Sequence, residues 1–234
     1  MEKTNNESDA QRKEYDILND PIFAGEEFFF PPCDDSEDED CDDEFSDKKN
    51  LIVVGASGTG KSRKLESDRV KYFGENYERV AFHPGYSYAQ FIGAYKPIMK
   101  PKVNGADGEE ELAYEFIPGP FLRVLVKALN DPWHNFCLII EDINRADAAA
   151  VLGDVFHLLD RGSDGESEYA IAVSEEMKKF LNRSLSKEIE NLKIPSNMYI
   201  WATMCDVDQG VFPIDSAFER RWMFESMDKN DENY

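Results

Sequence analysis

Gly55-Ala56-Ser57-Gly58-Thr59-Gly60-Lys61-Ser62 decides the fold. Before it runs Leu51-Ile52-Val53-Val54, an apolar stretch that reads as a buried strand, and after it Lys61 to about Phe73 reads as a helix. A glycine-rich turn between strand and helix aims backbone N–H groups and a helix N-terminus at one point, which suits nucleotide phosphates. Lys61 is placed to reach the β- and γ-phosphates, and the Ser62 hydroxyl to ligate Mg²⁺. Residues 55–62 are therefore the expected cofactor-binding set, with ATP or GTP as the ligand.

Working outward, Phe136-Cys137-Leu138-Ile139-Ile140 is a second apolar run, and it ends in Glu141-Asp142. Carboxylates at the end of such a strand can stand beside the Mg²⁺ of a phosphate-loop site. Glu141 is expected to hold the metal through its water shell and Asp142 to polarise the attacking water; alone, the pair would equally suit a cap on the next turn. A third run, Ile200-Trp201-Ala202-Thr203-Met204-Cys205, also ends in polar groups, where a γ-phosphate sensor would stand. The short segment Asp215–Trp222 carries Arg220 and Arg221. Adjacent arginines there could neutralise a helix C-terminus, or reach a neighbouring subunit's nucleotide as a finger.

Between these motifs the pattern alternates strand and helix. Strands are expected at 50–54, 79–82, 136–140, 198–203 and 222–226, and helices at 61–73, 88–94, 120–129, 147–159, 174–181 and 215–221. Continuous apolar strands alternating with helices imply an α/β fold with a mostly parallel sheet covered on both faces. Residues 100–111 read as an exposed loop, and 166–194 as an insertion carrying a helix.

The 234-residue chain carries a formal net charge of −22. Twelve acids fall between Glu26 and Asp47 without a Lys or Arg, leaving −10 on the remainder. So acidic a chain argues against a general DNA-coating surface, because that binding needs Lys and Arg against phosphates. Ten of the fifteen residues from Cys33 to Asp47 are acidic, which predicts a disordered linker, and a short helix is the most expected of residues 10–18. Three domains follow: a polar N-terminal segment over 1–48, a nucleotide-binding domain over 49–227 and a tail over 228–234. The four cysteines form no C-x-x-C pair, and no apolar run approaches the ~20 residues that cross a bilayer. A reducing cytoplasm is the expected compartment.

Taken together, the segments resemble the AAA+ NTPase domain of McrB-type restriction subunits, in the dynein-related branch of AAA+. The resemblance rests on GASGTGKS (55–62), FHPGYSYAQFIGAYKP (82–97), YEFIPGPF (114–121), LIIEDINRADAAAVLGDVFHLLDR (138–161), IPSNMYIWATM (194–204) and DQGVFPIDSAFERRW (208–222). It implies a five-stranded sheet of order 5-1-4-3-2 and a ring, typically hexameric. It also implies GTP or ATP hydrolysis and partnership with a nuclease subunit in antiviral restriction, DNA being contacted through partners. Residue by residue, Lys61 and Ser62 fall on the Walker A lysine and metal ligand, and Glu141 and Asp142 on the Walker B acids. Asn144 and Arg145 fall on the Asn-Arg that follows them, and Arg220 and Arg221 on the trans-acting arginine region.

Two positions depart from that family's pattern. The second Walker B acid is Asp142 where Glu is usual, and the sensor position after Thr203-Met204 is Cys205 where Asn is usual. A carboxylate one methylene shorter, and a thiol that hydrogen-bonds poorly, weaken hydrolysis while sparing phosphate binding. The chain also ends soon after the last strand, so the helical lid of AAA+ proteins and a preceding DNA-recognition domain are expected to be missing. Two other readings stay open: a nucleotide-binding switch without hydrolysis, and a MoxR-like ATPase that remodels a protein partner.

Overall fold

The computed structural model describes residues 45–102, 110–206 and 210–227. The apolar stretch Phe28-Phe29-Phe30 before Pro31-Pro32, the acidic run as far as residue 44, the helix expected over 10–18, residues 103–109 and 207–209 and the C-terminal tail lie outside the described residues.

Five strands make the central sheet: β1 (Asn50–Val54), β2 (Tyr77–Ala81), β5 (Phe136–Glu141), β8 (Met198–Met204) and β9 (Met223–Ser226). All neighbours are parallel, in the order β2-β5-β8-β1-β9. Counted along the chain as strands 1 to 5 and read from the β9 edge, this is 5-1-4-3-2, as the resemblance implies. Alternate residues of each strand feed opposite layers, as the period of two requires. Ile52, Leu138, Ile140, Ile200 and Ala202 face one core; Leu51, Val53, Cys137, Ile139, Tyr199 and Trp201 face the other.

The second layer is closed by helix α1 (Lys61–Phe73), through Leu65 and Phe73. Phe45 joins it, stacked on Tyr72 at 4.1 Å and on Tyr199 at 4.8 Å between ring centroids. The folded core therefore begins before residue 49, because Phe45 supplies an aromatic wedge that the acidic composition around it hides. The first layer is covered mainly by α3 (Pro120–Asn130), whose inward face is Phe121, Leu122, Val124, Leu125 and Ala128.

The connections differ from expectation in three places. The helix expected over 88–94 is the single turn α2 (Tyr88–Phe91), and the chain then enters a hairpin of β3 (Gly93–Pro101) and β4 (Glu110–Pro118). Part of what reads as a loop at 100–111 is thus strand. The helix expected over 147–159 is α4 (Ala148–Leu152) followed by a 3-10 helix over Gly153–Leu159. Gly153 takes φ +51 there, and a Cβ on it would stand 2.8 Å from the Tyr88 ring. The 166–194 insertion does carry a helix, α5 (Glu175–Ser184), between the short strands β6 (Ile171–Ala172) and β7 (Asn191–Leu192). The last helix, α6 (Ser216–Glu219), is shorter than expected. Among the described residues no helix is long and apolar enough to cross a membrane.

Candidate functional site

The three motif-bearing strands β1, β8 and β5 lie side by side, so their C-terminal ends meet at one edge. Each motif is carried there by the apolar run before it. The phosphate loop follows β1, with Gly58 at φ +83 and Gly60 at φ +91, conformations that glycine adopts without steric cost. Gly55 must lack a side chain for another reason: a Cβ would stand 2.7 Å from the Met227 carbonyl. Lys61 is buried, and its Nζ donates to the carbonyls of Gly55 and Ala56 at 2.8 Å each. The Thr59 hydroxyl donates to the Ala56 carbonyl at 2.9 Å.

Glu141 is the hub of the acidic strand end. Its Oε2 accepts from the Ser62 hydroxyl at 2.8 Å and from the Thr203 hydroxyl at 2.7 Å. Its Oε1 accepts from Arg79 Nη1 at 2.8 Å. The Thr203 oxygen in turn accepts from the Asp142 backbone N–H at 2.9 Å. Asp142 sits in the left-handed region at φ 52, ψ 52, a conformation aspartate tolerates better than most residues. Asn144, 4% exposed, donates its amide to the Cys205 carbonyl at 2.7 Å, tying the acidic loop to the third motif.

These elements enclose a cleft of about 390 Å³ lined by Ser57, Gly58, Gly60, Lys61, Ser62, Arg63, Asp142, Arg145 and Cys205. The phosphate loop, Asp142 and Cys205 are therefore together, as expected, and Glu141 is hydrogen-bonded to the loop's Ser62. Arg63 belongs to no motif read in the sequence, and Arg145, which follows the acid pair, joins it at this cleft. With Lys61 they set three cationic side chains around a space that would receive phosphates.

Ser62 and Glu141 also pass the chemical test for Mg²⁺. A hydroxyl and one carboxylate 2.8 Å apart are hard oxygen donors that leave most coordination positions to phosphate and water. Among the described residues no group of three or more His, Cys, Asp or Glu could hold a metal alone.

Arg220 and Arg221 stand elsewhere. They line a second cleft, of about 690 Å³, with Lys49, Asn50, Asp160, Arg161 and Trp222. Arg221 is buried there. Its Nη2 and Nε donate to Asp160 Oδ2 at 2.7 and 3.1 Å, its Nη1 donates to the Ala217 carbonyl at 2.6 Å, and its guanidinium lies over the Phe156 ring. The expectation that both arginines could reach out is corrected for Arg221, which is engaged inside its own domain; Arg220 is exposed. In the same cleft, burial and the neighbouring Arg161 lower the Lys49 pKa to about 8, only partly opposed by Asp47.

Comparisons with known proteins agree with this geometry. The profile of the AAA domain (dynein-related subfamily) matches residues 50–222. Component YdiS of the type II restriction enzyme BsuMI of Bacillus subtilis (strain 168) is 48% identical over 199 residues, which are 77% of this chain and 57% of that protein. The type IV methyl-directed restriction enzyme EcoKMcrB subunit of Escherichia coli (strain K12) is 29% identical over 184 residues, 76% of this chain and 35% of that protein. The chain thus spans about a third to somewhat over half the length of these relatives. With the profile covering four of the five strands of the sheet and both relatives being parts of restriction enzymes, the chain belongs to the dynein-related subfamily of AAA domains and is McrB-type within it.

Proposed function

We propose that this domain binds a Mg²⁺-nucleoside triphosphate and acts as the motor module of a McrB-like restriction system. The observation that carries the reading is the junction of Ser62 and Glu141 at 2.8 Å beside the buried Lys61, which joins the two halves of a nucleotide site across 79 residues of sequence. The loop N–H groups and Lys61 bind the phosphates, and Arg63 and Arg145 add charge at the rim of the same cleft. Mg²⁺, held by Ser62 and, through water, by Glu141, would supply charge neutralisation on the phosphates.

Hydrolysis needs more than binding. Asp142 orients the attacking water, and a second copy of the chain brings Arg220 to the nucleotide in a ring. A nuclease subunit and DNA contact belong to partners, as the restriction-component relatives suggest. Asp142 and Cys205 both line the cleft, so the two departures from the family's pattern fall where a lytic water would be held. Turnover by the isolated domain is therefore slow or partner-dependent. The same two residues favour, as a second reading, a nucleotide-binding switch that does not hydrolyse.

The test is titration with ATP and with GTP, each with and without Mg²⁺, followed by turnover on the same sample. Binding of one nucleotide with slow turnover supports the proposal. Binding of neither would sink both readings, and turnover at ordinary AAA+ rates would remove the slowing ascribed to Asp142 and Cys205.

A further inference from the structure

Arg79, on β2, is absent from every motif read in the sequence, yet it touches the acid that those motifs single out. Its Nη1 donates to Glu141 Oε1 at 2.8 Å, and its Nη2 is bonded to Glu66 on α1, the helix that starts at Lys61. Glu66 is bonded in turn to Arg69, which donates to the Gly74 carbonyl at 2.6 Å and lies over the Tyr77 ring, 4.1 Å from its centroid. One line of charges thus runs from the metal-side carboxylate to the far end of α1 and the start of β2. Arg69 foremost, and Arg79 with it, holds the Glu66 carboxyl below the usual carboxylate range, so Glu66 stays ionised as the anchor.

We infer that Arg79 is a positioning residue: it fixes Glu141 so that Oε2 faces Ser62, and thereby sets how tightly Mg²⁺ joins the bound nucleotide. The inference rests on the nucleotide reading above. Among the described residues three donors approach Glu141, from β2, α1 and β8, and of these Arg79 takes Oε1. Without it the carboxylate can rotate about its last bond and Oε2 loses its preference for Ser62. The planar guanidinium suits the task, because two of its nitrogens reach two carboxylates at once while a lysine offers a single point of charge.

The sign of the effect separates positioning from mere charge. As a nearby positive charge, Arg79 would repel Mg²⁺, so Arg79→Ala would lower the Mg²⁺ requirement and Arg79→Lys would leave it unchanged. As a positioning residue, its loss raises the requirement in both. Outer-shell partners of this kind alter metal affinity about 10- to 100-fold.

The experiment measures nucleotide binding to the full chain, in EDTA and across a Mg²⁺ titration, for the parent, Arg79→Lys, Arg79→Ala and Glu66→Gln. Expected is a Mg²⁺ midpoint raised at least about tenfold in the two Arg79 variants and by a smaller factor in Glu66→Gln. Binding in EDTA stays within about twofold of the parent, since Lys61 and the loop are untouched. An unchanged or lowered midpoint in Arg79→Lys overturns the inference. If Arg79→Ala does not fold, Arg79→Lys and Glu66→Gln decide. A parent that binds no nucleotide under any condition overturns the reading beneath it, and this inference with it. A parent that binds equally with and without Mg²⁺ overturns the inference alone.

Discussion

Asp160 holds Arg221 from inside the domain, while Arg220, one residue earlier in the chain, is exposed at the same cleft. The pair terminates the short helix α6, and successive residues near a helix end point about 100° apart. One arginine therefore turns onto Phe156 and Asp160 and the other outward. Adjacent residues of identical chemistry come to serve different ends.

Separate consequences follow for the two arginines. Arg221→Ala leaves Asp160 without its partner and removes a buried guanidinium, a change that costs about 3–5 kcal/mol. For a domain of this size that lowers Tm by roughly 10 °C. Arg220→Ala leaves Tm within about 1 °C but, in the proposed ring, reduces turnover by about 10³-fold, the scale of a lost arginine finger. Thermal melts and single-substitution kinetics read both. Equal loss of Tm in the two variants would remove the distinction.

Asp142→Glu lengthens by one methylene a carboxylate that lines the cleft with Ser57 and Lys61. Turnover is expected to rise about ten- to a hundredfold, since displacements near 1 Å have effects of that size. The gain has an opposing term. Position 142 has φ 52, and a longer side chain in the left-handed region is less stable by about 1 kcal/mol. Tm should therefore fall by a few degrees while the rate rises. Unchanged turnover in the double substitution with Cys205→Asn would favour the non-hydrolysing switch.

Much of this was legible because the sheet is parallel and covered on both sides. β1, β5 and β8 are unbroken apolar runs whose ends carry the motifs, and α1 spans the residues that the loop predicts. The β3–β4 hairpin was not legible, since Pro97 and Pro101 argue against a strand. Among the described residues each of its strands has only one partner, so a missing N–H can be borne on the open side. The 147–159 helix failed at Gly153, where the obstacle is the Tyr88 ring, 65 residues away in sequence. Arg79 and Thr203 could not be assigned from spacing, because their contact with Glu141 exists only through the pairing of β2 with β5 and of β5 with β8.

Lys49 should give the domain a stability that rises with alkali. Its folded pKa is about 8, below the ordinary 10.5. Between those values the unfolded chain holds a proton that the folded chain has released, so unfolding takes up a proton and stability grows with pH. Below about 8 both states are protonated and the dependence vanishes. Arg161, half-buried in the same cleft, is lowered only to about 10, and the buried Cys137 thiol, pushed up by burial, works the other way from about pH 8.5, which leaves pH 7.5–8.5 to Lys49. Melts across that range should climb more steeply in the parent than in Lys49→Met. Parallel curves would show that Lys49 titrates normally.

Thr203 ties the acidic loop together through one oxygen, donating to Glu141 and accepting from the Asp142 N–H. Thr203→Val keeps the shape of a residue only 1% exposed and removes both bonds. The Asp142 N–H is then left without its partner beside a strained turn, which costs about 1–3 kcal/mol. Glu141 also loses one of the two donors on Oε2, the oxygen that faces Ser62. Thr203→Ser keeps the hydroxyl and should retain both bonds, with only the small loss from a missing methyl. The valine variant should therefore melt several degrees below the serine variant and turn over more slowly, while both bind nucleotide equally in EDTA. If valine and serine behave alike in the melt and in turnover, the hydroxyl does not hold the turn, and Asp142 must owe its left-handed backbone to the 3-10 turn over Ile143–Arg145 that follows it.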